Sequence, residues 1–126
     1  MTSAEQIKEL KERLSTLDKC LNIQGRRADV AARTEKTLAP DFWNDAKEAE
    51  RFLKELSSLK FWTNGFDKAS ASVDDLDVLY EFAKESVGAE TDETVETPET
   101  KELDEAFAAA LEQIETLELR NMLGSE

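Results

Sequence analysis

Side chains able to do covalent or acid–base chemistry are scarce in this chain, and what is missing narrows the possibilities. Histidine is absent, which removes the commonest general base and the imidazole metal ligands together. Serine–histidine and cysteine–histidine nucleophiles are therefore excluded, as are di-metal bundles built on Glu-x-x-His pairs. The single Cys20 has no second thiol with which to form an internal disulfide or a redox pair. Carboxylates are plentiful, but neither Val73-Asp74-Asp75-Leu76-Asp77 nor the run 90–96 has the alternating ligands and central glycine of a calcium loop. The four glycines, Gly25, Gly65, Gly88 and Gly124, are too scattered to form a phosphate-binding loop. A carboxylate pair for acid–base work needs a pocket that moves one pKa, and a chain with this many solvated acids predicts none. The expectation is a protein that is not an enzyme and holds no metal or cofactor.

Binding is the remaining chemistry, and two aromatic pairs and three arginines are its candidates. On a helix, neighbours point about 100° apart, so Phe61 and Trp62 cannot both enter one stripe, and the partly exposed one is a candidate protein contact. Phe42 and Trp43 stand in Pro40-Asp41-Phe42-Trp43-Asn44-Asp45, just ahead of a helix start. There they are expected to form a structural corner, with Trp43 largely packed and its truncation to alanine costing a few kcal/mol. Arg26 and Arg33 share a helical face at i, i+7, close to Arg27, and are expected to be solvated and paired with Asp29 and Glu35.

Charge limits the partners. With 29 acidic and 16 basic residues the formal charge is −13, so naked phosphate backbones should be repelled and free nucleic acid is a poor partner. No apolar run approaches the roughly 20 residues of a membrane span, and the N-terminus lacks a signal-type apolar core. A reducing, cytoplasmic setting and no membrane partner are the expectation.

Helices must position these groups. Ser3 and Gln6 form a capping-box pattern, after which Ile7, Leu10, Leu14, Leu17 and Leu21 recur every three or four residues, which predicts a helix over about 4–20. A bend near 20–25 leads to a shorter helix ending near 36, with Ala28, Ala31, Ala32, Thr34 and Leu38 as a weak inner face, and Pro40 stops it. Asn44 or Asp45 caps a third helix. Its stripe runs through Ala49, Phe52, Leu53, Leu56 and Leu59 to Phe66, Ala69 and Val73. That phase favours helix over hairpin at Asn64-Gly65, with room for a kink. Leu76, Leu79, Tyr80, Phe82, Ala83 and Val87 either continue it or follow a break at 70–72. An acidic loop from Gly88 to Glu99 precedes a last helix, opened by Thr97-Pro98 and lined by Leu103, Phe107, Ala110, Leu111, Ile114, Leu117 and Leu119. The predicted fold is all-α: one domain over residues 1–126, an antiparallel helical bundle of four to five helices with one acidic loop.

Three stretches carry a resemblance. Leu38-Ala39-Pro40-Asp41-Phe42-Trp43-Asn44-Asp45, the run 47–60 that follows it, and Leu117-Glu118-Leu119-Arg120-Asn121-Met122-Leu123 resemble the N-terminal domain of bacterial peptide chain release factor 2. That family comprises the class I factors that direct termination at UGA and UAA codons. The resemblance implies a noncatalytic helical docking domain that lies near the base of the ribosomal stalk and meets the class II release factor GTPase. The family decodes with Ser-Pro-Phe and hydrolyses peptidyl-tRNA with Gly-Gly-Gln, both in later domains. Neither tripeptide occurs here, so the decoding and Gly-Gly-Gln domains are absent and no catalytic residue carries over. The alternative is a stand-alone acidic helical adaptor that dimerises through its heptad-like stripe.

Overall fold

A computed structural model describes residues 1–88 and 95–124. Among these residues are four α-helices and no strand: α1 (Ala4–Leu21), α2 (Ile23–Lys36), α3 (Ala46–Val87) and α4 (Pro98–Met122), with a 3-10 turn at Phe42–Asn44 ahead of α3.

The capping box predicted for α1 is present. Ser3 Oγ accepts from the Gln6 amide at 3.1 Å, and Gln6 Oε1 accepts from the Ser3 amide at 2.8 Å. All five predicted leucine and isoleucine positions of α1 are buried. The bend is a single residue, Asn22, in the left-handed conformation at φ 50°. Its amide donates back to Lys19 O at 3.2 Å, closing α1, while its Oδ1 accepts from the Gly25 amide at 3.3 Å, opening α2. Gly25 leaves space for that side chain, because a Cβ there would stand 2.4 Å from Asn22 Nδ2.

The inner face of α2 differs from the predicted one. Ala28, Ala31 and Ala32 face solvent, as do Thr34 and Leu38, whereas Arg26, Asp29, Val30 and Arg33 are half-buried towards α3. Long amphipathic side chains explain the inversion: guanidinium stems cover apolar surface while their heads find acids, which alanines cannot do. Arg27 meets Asp67 at 2.6 Å, and Arg33 bonds Asp29 at 3.2 Å and Glu55 at 3.3 Å.

Asp45 caps α3 through the Glu48 amide at 3.2 Å. The helix then continues unbroken for 42 residues, through both Asn64-Gly65 and the serines at 70 and 72. Gly65 is accommodated because Leu117 Cδ2 would lie only 3.1 Å from an added Cβ, so the missing side chain lets α4 approach closely. Two predicted core positions lie outside: Phe82 is 58% exposed and Leu119 56%.

Thr97 and Thr100 cap α4 reciprocally, and the Thr97 hydroxyl shares a 2.8 Å hydrogen bond with Ser86 that ties the start of α4 to the end of α3. The acidic loop predicted between them falls largely outside the described residues. With Leu117 at Gly65, α4 runs antiparallel to α3. The contacts Thr2–Asp104, Arg13–Glu118 and Lys11–Asp77 set α1 parallel to α4 and antiparallel to α3. The core between them joins Leu10, Leu14 and Leu21 to Ala69, Val73 and Leu76, and to Leu103, Ala110 and Ile114.

Beyond this three-helix region α2 continues along the first half of α3, but α4 does not. It ends at Met122, close to where the Arg120 guanidinium lies over Phe61 at 4.4 Å. From Ala46 to Lys60, α3 therefore has α2 on one side and, among the described residues, no third helix, over roughly 20 Å at 1.5 Å per residue.

Two measurements test this packing. Ile114 is fully buried, so Ile114→Ala should lower stability in urea by about 2–5 kcal/mol. Burial pushes the Asp104 carboxyl up, but hydrogen bonds from the Thr2 hydroxyl and amide and the charge of the N-terminal ammonium outweigh it, and the net shift is downward. A carboxyl lowered on folding stabilises above its unfolded pKa and loses that contribution as pH falls through the folded value. Asp104→Asn should therefore be less stable than the parent at pH 6, and the gap should close as pH falls below about 4.

Candidate functional site

Of the aromatic and arginine residues singled out in the sequence, Phe61, Trp62, Arg26 and Arg33 converge at the open end of the bundle, while Arg27 stands apart on Asp67. Trp62 is 8% exposed and belongs to the core, while its neighbour Phe61 is 38% exposed. The helical 100° offset thus puts one ring in and the other at the rim, edge to face with centroids 5.3 Å apart. Arg26 reaches over Trp62 at 5.4 Å, and Arg33 over Phe52 at 5.6 Å.

Together these residues line a groove of about 630 Å³, with Arg26 and Arg33 from α2, Glu55, Ser58, Phe61 and Trp62 from α3, and Arg120 from α4. Arg26 is positioned by the joint between helices. Its Nε donates to Leu21 O at 2.5 Å, occupying a carbonyl at the end of α1. Arg33 is held by two carboxylates, and its hydrogen bonds to Asp29 and Glu55 raise its pKa. The expected pairing with Asp29 is there, but its second partner is Glu55 on α3 rather than the local Glu35. The i, i+7 spacing of Arg26 and Arg33 was readable in the sequence. The meeting with Arg120 and Phe52 was not, because it depends on how α2 and α4 lie along α3.

The corner at Phe42 and Trp43 departs from its expected arrangement. Phe42 is half-buried and sets its ring edge to face on Phe52 at 5.4 Å, so Phe42 pins the corner. Trp43 is 60% exposed and touches the corner through the Phe42 ring at 4.9 Å. The 3-10 turn accounts for this: with three residues per turn, neighbouring side chains diverge by about 120°, and only one of the two can face α3. Trp43 instead walls a shallow furrow of about 450 Å³ along Ala46, Ala49, Leu53 and Ser57, rimmed by Glu50 and Lys54.

The site's chemistry is that of contact. It offers guanidiniums, ring faces and hydroxyls for non-covalent binding. Among the described residues no group of three or more histidines, cysteines or acids is placed to hold a metal ion, and no helix is long and apolar enough to cross a membrane. Asp104, whose carboxyl is shifted, is shifted down, the opposite of what a general acid requires, and it lies on α4 facing Thr2.

Because Trp43 is mostly solvated and meets one ring, Trp43→Ala should change stability by less than about 1 kcal/mol in thermal or urea unfolding. A loss of several kcal/mol would return Trp43 to the core.

No protein-family profile matches the chain. Individual relatives do. Peptide chain release factor 2 of Streptomyces avermitilis is 27% identical over 123 residues, covering 98% of this chain and 31% of that protein. The factor of the same name from Mycobacterium ulcerans is 30% identical over 121 residues, and that from Salinispora tropica is 32% identical over 123. In both cases the match again covers 31% of the relative, so the chain spans about a third of the length of the curated relatives it matches. Nearly every residue of this helical bundle takes part in those matches, so the chain is similar along almost its whole length to about a third of peptide chain release factor 2, consistent with its N-terminal domain.

Proposed function

We propose that this chain is a noncatalytic docking module of translation termination: a single helical domain over residues 1–126 that helps a class I release factor engage the cytoplasmic ribosome at UGA and UAA codons. The similarity of nearly the whole chain to one third of release factor 2 carries the reading. Decoding and ester hydrolysis are then the work of the remaining two thirds of such a factor, in keeping with a sequence that has neither Ser-Pro-Phe nor Gly-Gly-Gln.

Docking near the base of the ribosomal stalk, beside the class II release factor GTPase, fits the physical chemistry of the chain. A formal charge of −13 disfavours naked RNA as the main contact. The open end of the bundle presents the rim aromatics Phe61 and Trp43, of the types enriched in protein interface anchors.

Cosedimentation with ribosomes tests the reading. The purified chain is expected to pellet with ribosomes at micromolar concentration and to release no formyl-methionine from ribosomes paused at UGA. Absence from the pellet would overturn docking, and stop-codon-dependent release would overturn the noncatalytic role.

A further inference from the structure

We propose that the groove between α2 and the first half of α3 receives the carboxylate-bearing face of an acidic protein helix. That helix would lie end to end with α4, along the part of α3 that has no third helix among the described residues. The inference rests on the docking reading above and specifies the chemistry of its partner.

Charge gives the first argument. Acids outnumber bases 29 to 16, and Arg13, Arg27, Arg33 and Arg51 each meet a carboxylate, on Glu118, Asp67, Asp29 and Glu48 respectively. Arg26 meets none among the described residues. Yet it is no loose surface chain, because the Leu21 carbonyl holds its Nε and the Trp62 ring lies beneath its guanidinium. Its terminal nitrogens are thus left to a ligand in a fixed direction. A planar fork of N–H donors held in this way matches a carboxylate in two parallel hydrogen bonds, with the ordering cost already met by the fold.

Shape gives the second. Where α4 ends, α3 continues for roughly 20 Å, long enough to carry about four turns of a docked helix. The groove offers that helix an apolar foothold at Phe61 next to the cation at Arg26. An amphipathic helix carries acids and leucines at i, i+3 and i+4 on adjoining faces and can meet both. RNA matches less well, since every nucleotide carries a phosphate into the field of a −13 molecule, whereas a helix can confine its acids to the face that meets Arg26.

The test uses a fluorescein-labelled amphipathic peptide of Glu and Leu, its Glu→Gln counterpart, and a labelled single-stranded RNA of equal charge, each titrated with the protein and read by anisotropy. The Glu peptide should bind, and the Gln peptide and RNA should bind at least about tenfold more weakly. Arg26→Gln should weaken the Glu peptide by about tenfold, Arg26→Lys by less, and Arg27→Gln, on the same helix but outside the groove, should leave it unchanged. Unaltered circular dichroism melts would exclude a folding defect. Tighter binding of RNA, equal binding of the Gln peptide, no peptide binding, or an Arg26→Gln chain that binds like the parent would each overturn the proposal. Ribosome cosedimentation separates the two claims. A parent chain that binds the Glu peptide through Arg26 but stays out of the ribosome pellet refutes docking alone, whereas equal pelleting of parent and Arg26→Gln refutes the groove alone.

Discussion

The seam between α3 and α4 is the constraint on which this structure depends. A helix of 42 residues made of ordinary side chains is not held straight by backbone hydrogen bonds alone, since most helical stability in proteins comes from burying an apolar face. Here Ala69, Val73, Leu76 and Ala83 on α3, with Leu103, Ala110 and Ile114 on α4, are almost completely removed from water. Small residues at 69, 83 and 110, and the missing side chain at Gly65, bring the two axes together. The capped junction at Ser86 and Thr97 fixes which turn of α4 meets which turn of α3. Once that register is set, α1 has a groove to fill. The place where α4 stops then determines which part of α3 remains uncovered.

Much of this could be read from the sequence, because period and capping are local. The stripe of α1, the cap at Asp45, the Thr97-Pro98 start of α4 and helix rather than hairpin at Asn64-Gly65 all follow from residues within a few positions of one another. Three things depended on distant partners. Alanines 28, 31 and 32 look like a core face, but the neighbouring surface of α3 carries Glu55 and Asp67, which select arginines instead. Phe82 and Leu119 keep helical phase yet point away, since two neighbours cannot cover every side of α3 or α4. Trp43 stands beside a helix start, a place that favours packing, but the Phe52 ring on α3 takes Phe42 there instead. The candidate site was half legible: its residue types and the spacing of Arg26 and Arg33 could be seen, but their convergence with Phe61 and Arg120 is a product of tertiary register.

Charge follows the same division. Along the three-helix region, opposite charges pair across helices, as at Lys11–Asp77 and Arg13–Glu118, and add orientation more than energy because most are solvated. At the open end guanidiniums also lie against rings, where an aromatic face supports a cation without cancelling it. The molecule is acidic as a whole, yet where its third helix ends three arginines, Arg26, Arg33 and Arg120, line one groove beside the carboxylate of Glu55.

The joint at Asn22 has a consequence for that pocket. One residue closes α1 and opens α2, so no slack separates the leucines that seat α1 in the core from the arginines that face the groove. Each residue of helix turns the chain by about 100°, and the angular phase of Arg26 and Arg33 is therefore inherited from Leu14, Leu17 and Leu21. Adding or removing a single residue at the joint would turn α2 by about 100° and carry Arg26 and Arg33 off the face that meets α3. The binding surface is indexed to the hydrophobic core through one left-handed residue.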